Sequence, residues 1–350
     1  MTDTITKRIR MRQGDSATAK ANNEVLRQGE PFWETDTGEI KIGDGETHYN
    51  NLLGLVSEAK IAQQIAQGIY EGKDLTVKFA LEIGLYSSVA DWLHARCAAG
   101  NFTGIYPGDY FWDNMASGTI AGTSVPATRK KIYIAGIDLY YGTGDTEINT
   151  HHITCFTLSD QNMTWNDVNN NNGSSYSEHP YLASKLHAVL MGINNASSNK
   201  VGACGYNASG AGYYQLFSSG LRARMIEQRV NMAKRYSTTA ALNENNGQAW
   251  VGRGLVFAPS EIEVYGCPIH SISGDGTLWQ KDSFGPWCHW PIFKSAGYRG
   301  RLRFGRLSFW LCSVPGGAST FACVVYGAGD AGANSTSTTW LRAPLCFHIA

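Results

Sequence analysis

The sequence predicts a β-rich α+β chain: a small N-terminal β domain, a short helical segment and a larger C-terminal domain closed by a terminal strand. Three observations carry this. Short apolar runs broken by Gly, Asp and Asn turns fill residues 1–53. Residues 54–80 open with helical periodicity built on small residues. Residues 81–350 keep an aromatic, Gly-rich character to the end, without an internal repeat or low-complexity linker.

The N-terminal domain starts with Ile5, Ile9 and Met11 alternating with Lys7, Arg8, Arg10 and Arg12, a strand with one charged face. Ser16 is placed to cap a short helix. Two short strands then flank Asp36-Thr37-Gly38, where Gly38 takes the positive φ of a tight hairpin, and Gly43-Asp44-Gly45 makes a second turn. Asp36 and Asp44 therefore read as turn-makers, not as catalytic or metal-binding groups. About 50 residues bury little surface alone, so trimerisation or docking to a larger particle is expected to stabilise them.

Leu55 to Ile69 is expected to be helical. Leu55, Ala59, Ala62, Ala66 and Ile69 recur at alternating four- and three-residue steps, as in a coiled-coil seam of small residues. The seam alone leaves two readings open: a homotrimeric bundle, or a single helix packed on its own domain.

Beyond residue 81, Ser87 or Ser88 caps a helix over Val89–Cys97. Asn101–Trp112 and Lys131–Tyr141 read as strands, Pro180–Ile193 and Leu221–Tyr236 as helices, and 166–177 and 196–212 as loops. The last part begins with the strand-like Ser308–Ser313 and Thr320–Tyr326. A small-residue loop, Gly327–Thr339, and an apolar terminal strand follow. Such an apolar terminus is expected to be zipped into a sheet.

Composition narrows the function. Lys plus Arg and Asp plus Glu are both 29, so formal net charge is zero, which argues against nucleic acid as a partner. No signal peptide and no membrane-spanning run is expected, which implies synthesis in a reducing cytoplasm. The eight Cys show neither C-x-x-C pairs nor zinc spacing and read as buried thiols outside disulfides. No cofactor and no metal is expected.

Enzyme-like features are sparse. Asp145-Thr146-Glu147 lies near His151-His152, enough for an acid/base pair, but adjacent His residues on a strand point to opposite faces. The plainer reading is a strand end with internally paired polar groups. Gly68–Lys73 is one residue short of a phosphate loop, and G-x-S-x-G is absent. Arg299, Arg301, Arg303 and Arg306 alternate with Leu302 and Phe304 as a charged strand face, either an anionic-glycan site or a subunit contact. The binding candidates are Ser319, Tyr326, Asp330, Asn334, Thr336, Ser337 and Trp340, which mix aromatic platforms with small hydrogen-bonding groups.

Two motifs carry a resemblance. Leu26-Arg27-Gln28-Gly29-Glu30, Thr35–Gly45 (TDTGEIKIGDG) and Tyr49-Asn50-Asn51-Leu52 resemble the N-terminal domain of phage major tropism determinants and of many phage fibre proteins, over nearly all of residues 8–53. The C-terminal FWLCS and TTWLRAPLCFHI strings resemble the end of phage tail proteins with a C-type-lectin-like fold, with departures at Phe309, Cys312 and Ala343. The resemblance implies a trimeric tail-fibre or tail-tip protein of the virion. Its N-terminal domain (1–53) attaches to other virion proteins, its helix (54–80) sets three-fold symmetry, and its lectin-like domain (81–350) binds a host cell-surface glycan or protein through C-terminal loops. Neither enzymatic activity nor membrane insertion is implied. Two alternatives stay open: a structural head fibre or baseplate decoration, and a glycan-degrading enzyme. A lectin-like relative that uses a cysteine pair would point to Cys312 and Cys346.

Overall fold

The structure is a computed structural model. It describes residues 11–52, 54–55, 58–67, 69–146, 148–171, 179–193, 206, 208–233, 248–271, 288–294, 304–315 and 318–350. The chain divides into two compact units, Met1–Gln64 and Ile65–Ala350. It is mixed α/β, sheet-rich and built on open sheets. Among the described residues, no helix is long and apolar enough to cross a membrane.

The first unit holds a four-stranded sheet in the order β1 (Arg12–Gly14), β2 (Pro31–Glu34), β3 (Ile40–Ile42), β4 (Gly54–Leu55). Helix α1 (Ser16–Asn22) is capped by Asp15, whose carboxylate accepts from the Thr18 N–H at 2.8 Å, and not by Ser16 as expected. Ser16 instead donates its hydroxyl and its N–H to Asp36. Ala19, Leu26, Phe32, Tyr49 and Leu52 form a small core. Lys41 is buried beside it, donating from Nζ to the Tyr49 carbonyl at 2.9 Å with Tyr49's ring 4.2 Å away. Gly43 is needed at its turn because a Cβ there would sit 2.3 Å from the Arg27 carbonyl oxygen and 2.5 Å from Leu26 Cβ. Gly43→Ala should therefore destabilise this unit by about 1–3 kcal/mol. In hydrogen exchange, residues 12–55 should lose protection while the second unit keeps it; unchanged protection would contradict the tight contact.

The expected helix from Leu55 is shorter than its periodicity suggests. Leu55 pairs with Ile40 in β4, and helix α2 spans Glu58–Ala66, about two and a half turns. Sheet pairing claims the backbone at Leu55, and Ile69 falls beyond the helix end.

The second unit opens with helices α3 (Leu75–Lys78), α4 (Ala80–Ile83) and α5 (Val89–Ala98), the last capped by Ser88 as the sequence predicts. Strands β5 (Tyr110–Met115), β6 (Gly118–Ile120), β7 (Thr123–Val125), β8 (Thr128–Ile137) and β9 (Ile153–Asn162) follow. A 3-10 turn over Pro180–Ala183 leads into α6 (Lys185–Met191), then α7 (Tyr213–Leu216) and α8 (Ser219–Arg222). Next come β10 (Met225–Ile226), β11 (Arg229–Ala233), β12 (Gln248–Gly252) and α9 (Glu261–Tyr265). The chain ends with β13 (Phe309–Trp310), β14 (Phe321–Val325), β15 (Ala331–Ser335) and β16 (Arg342–Ile349).

The main sheet runs β15-β14-β13-β16-β9-β8-β5, with β10 also paired to β16. The C-terminal strand is thus central. Its Pro344 has no N–H to donate to a ladder, and the pairing with β9 shifts register between Arg342 and Pro344. There the Ala343 N–H donates to Ser159 Oγ at 2.9 Å. Alternation splits the core between the two faces. Leu345, Phe347, Trp310 and Val324 join a cluster with Trp92, Leu186 and Leu221 of the helices. Cys346, Phe309, Cys323 and Val325 join another with Phe257, Val264 and Trp290.

Several expectations are corrected. Leu221–Tyr236 is not a helix: α8 stops at Arg222, and Met225–Ile226 pair with His348–Ile349. Val230 and Met232 are buried on one face of β11, a period of two that outweighs helical spacing, and Tyr236 lies outside the described residues. Asn101–Asp109 is a run of turns, with Gly104 and Gly108 at positive φ, before the strand starts at Tyr110. β8 ends at Ile137, where Asp138 takes φ +51°. Gly327–Thr339 is not simply a loop, because Ala331–Ser335 pairs with β14 as an edge strand. Arg306 sits in a turn at φ +58°, and Arg299, Arg301 and Arg303 lie outside the described residues.

Candidate binding surface

The β14–β15 hairpin turns through Tyr326–Asp330. The Tyr326 N–H donates to the Asp330 carbonyl at 3.0 Å, and the Gly329 N–H to the Tyr326 carbonyl at 2.7 Å. The small residues of β15 have a local reason. A Cβ on Gly332 would sit 2.1 Å from the Tyr326 ring, so glycine makes room for the tyrosine to lie along the sheet edge. Tyr326 stacks on Trp340 with ring centroids 6.1 Å apart and planes 16° off parallel. Trp340 is 49% exposed, an aromatic platform seated on a well-packed scaffold.

Polar groups continue along the hairpin. Asn334 Oδ1 accepts from the Ser335 N–H at 2.8 Å and the Thr338 hydroxyl at 2.9 Å. Ser335 Oγ donates to Asn169 and lies 3.4 Å from Ser337 Oγ. Thr336 is fully buried and donates to the Val168 carbonyl at 3.0 Å, so it braces the hairpin from within. Asn166 and Asn171 are also buried and tie the 166–171 loop to the Thr336, Ser319, Ala318 and Phe321 carbonyls. Ser319 and Asp330 are exposed at opposite ends of the hairpin. The structure therefore joins Tyr326 with Trp340, and Asn334 with Ser337 through Ser335 and Thr338, but spreads the set along one edge. Sequence reasoning missed Thr338, which bonds locally to Asn334, and also Ser335 and the buried asparagines, whose roles follow from partners far along the chain.

The acid/base candidates resolve differently from their spacing. Asp145 is held by Arg229, whose Nε and Nη2 donate at 2.9 and 2.8 Å; Glu147 lies outside the described residues. The carboxylate that organises the histidines is Asp138, 2.7 Å from His151 Nδ1 and accepting from the His152 N–H at 2.8 Å. His151 stacks on Tyr141 at the surface, whereas His152 is buried. Asp74, which directly follows the near-miss phosphate loop, caps α3 and accepts from the Trp112 indole N–H at 2.7 Å. Cys312 and Cys346 are buried in the clusters on opposite sides of the sheet, and burial pushes the Cys346 thiol well up. None of the seven described cysteines is in a disulfide.

In the N-terminal unit, the Asp44 carboxylate accepts from the Thr47 hydroxyl and the Thr47 and Glu46 N–H groups, which holds its pKa down to about 2. Together with Asp36 on Ser16 and Gly38 at φ +70°, this is a turn-making pattern.

That pattern lies in a segment similar to a known domain. Residues 9–47 match the major tropism determinant N-terminal domain. The match supports a tropism-determinant-like phage protein and a virion component. No curated protein and no solved structure matches the chain.

Proposed function

We propose that the chain is a phage tail-fibre or tail-tip protein that binds a host surface receptor through the hairpin edge of a C-type-lectin-like second unit. The observation that carries this is the Tyr326–Trp340 stack, a half-exposed aromatic platform on a rigid sheet edge. Binding groups concentrate where a stiff scaffold presents aromatic and small polar residues to solvent. The tropism-determinant match at the N-terminus supports a phage setting.

A homotrimer is part of the same reading. Ala62, Ala66 and Ile69 of the expected seam are exposed. Val77 on α3, Leu81 on α4 and Leu85 in the turn that follows add further apolar surface, 68, 92 and 85% exposed. Met11, Trp33 and Ile42 leave apolar surface on the N-terminal sheet, suited to docking on another virion protein. Three copies of one shallow site convert modest affinity into avidity. The reading assigns no catalysis. The same apolar surfaces would also serve a purely structural virion component, and binding separates the two.

Replacing Tyr326 and Trp340 with Ala should weaken binding of the purified protein to its host cells by more than about tenfold, as for aromatic anchors elsewhere. Trp340 is half exposed, so its removal alone should hardly move thermal unfolding, whereas Tyr326 is partly buried against the core and its loss should lower stability while leaving the chain folded. Unchanged cell binding in a folded double variant would remove the hairpin from the proposal.

A further inference from the structure

At the opposite edge of the main sheet from this hairpin, a cleft of about 310 Å³ opens over β5, β8 and β9. The pairing Trp112↔Lys131 and Asn114↔Arg129 puts Arg129, Lys131 and Tyr133 on one face with Tyr110 and Trp112, while Ile132 and Ile134 point into the core. The two cations rest on aromatic rings. Arg129 lies 4.7 Å from the Trp112 centroid; Lys131 lies 3.5 Å from that of Tyr110 and 4.9 Å from that of Tyr133. Such seating holds long side chains in place and limits the entropy lost on binding. Trp112 is itself anchored through its indole N–H to Asp74.

The charges do not cancel within the cleft. Lys130 pairs with Asp160 at 2.5 Å. Among the described residues, Arg129 and Lys131 have no carboxylate within ion-pair distance. Asp160 is half exposed at the rim and keeps acceptor capacity for hydroxyl donors.

We propose that this cleft binds an anionic saccharide unit, with its carboxylate or phosphate group between Arg129 and Lys131 and a ring hydroxyl on Asp160. A site joining two cations to a hydroxyl acceptor suits a polyhydroxylated acid, whereas a nucleic-acid backbone calls for a wider basic surplus than a chain of zero net charge supplies. The volume is at the small end for ligand sites and matches one or two sugar rings. The inference stands on its own geometry and does not require the hairpin to bind anything.

The test is calorimetric titration of the full chain with trigalacturonate, glucose 6-phosphate, inorganic phosphate and neutral galactotriose. At least one of the two acidic sugars should bind, about tenfold or more tighter than galactotriose, and more weakly as salt rises. Which one binds identifies the acid. R129Q and K131Q should each weaken that binding severalfold, and the Tyr326/Trp340 variant should leave it unchanged. Because Arg129 is exposed, R129Q keeps the test readable if K131Q misfolds. Equal binding of acidic and neutral sugars, no binding of either, wild-type affinity in R129Q, or inorganic phosphate binding as tightly as the acidic sugars would each overturn the proposal.

Discussion

Glu263→Ala should destabilise the second unit by about 3–5 kcal/mol, because it strands a buried guanidinium. Arg253 and Glu263 are both fully buried and meet in a two-pronged pair, Nη1 to Oε2 at 2.9 Å and Nη2 to Oε1 at 2.8 Å. Glu263 also accepts from the Ser260 N–H and the Tyr140 hydroxyl, and Tyr140 accepts from the Trp290 indole at 2.7 Å. Arg253 further donates to Gln228 Oε1 at 2.7 Å and lies 3.6 Å from the Phe257 ring centroid. This network joins α9, the end of the β8–β9 region and the floor of the terminal strand. Removing one charge leaves the other desolvated, whereas removing both with apolar replacements of similar size does not. Arg253→Met with Glu263→Leu should therefore be milder than Glu263→Ala alone. Urea unfolding read on the second unit measures both. A Glu263→Ala loss below about 1 kcal/mol, or a double variant as damaging as the summed singles, would contradict this picture.

Acidification should destabilise the same unit from about pH 6.5 downward. His348 and His152 are fully buried, and burial lowers both pKa values from the ordinary 6.5, His348 well below it. The hydrogen bonds of His152 specify a neutral ring, and His348 is enclosed without a carboxylate partner among its hydrogen bonds. His152 Nε2 accepts from the Tyr140 N–H at 3.2 Å and Nδ1 faces the Thr150 carbonyl. His348 Nε2 faces Gln228 Oε1, which Arg253 already identifies as an oxygen, and Nδ1 faces the Thr154 hydroxyl. Below pH 6.5 the unfolded chain binds protons that the folded chain refuses, so stability falls with pH until the folded pKa is reached. Each histidine contributes up to about 1.4 kcal/mol per pH unit in that window. Replacing His348 with Asn should flatten the slope between pH 6.5 and 4.5. An unchanged slope would mean that other groups carry the acid sensitivity.

Local chemistry explains which parts of the fold were legible in the sequence. Asp36-Thr37-Gly38, Ser88 and the apolar run of the terminal strand each state their conformation within a few residues, and each is found in the structure. The errors share a cause. Leu55 and Met225 read as helical, but both are claimed by strands far away in sequence, Leu55 by Ile40 and Met225 by Ile349. Helical periodicity does not register such pairing. β15 looked like a loop because its small residues exist to seat Tyr326, a fact carried by a ring packed six positions earlier. The site divides the same way. Tyr326 and Trp340 were recognisable as residue types suited to binding; the burial of Thr336 was not. The basic cleft was legible in principle, since Arg129, Lys131 and Tyr133 alternate within TRKKIYIAGI, but its aromatic half lies on a different strand.

The measurement that bears most directly on the account is saturable binding of the purified full chain to a panel of bacterial hosts, read alongside its mass in solution. The account predicts a species of three times 38.2 kDa that binds one host saturably and is displaced by unlabelled protein. A trimer that binds no host surface would contradict receptor recognition and leave a structural virion component, and a monomer would contradict the trimer as well.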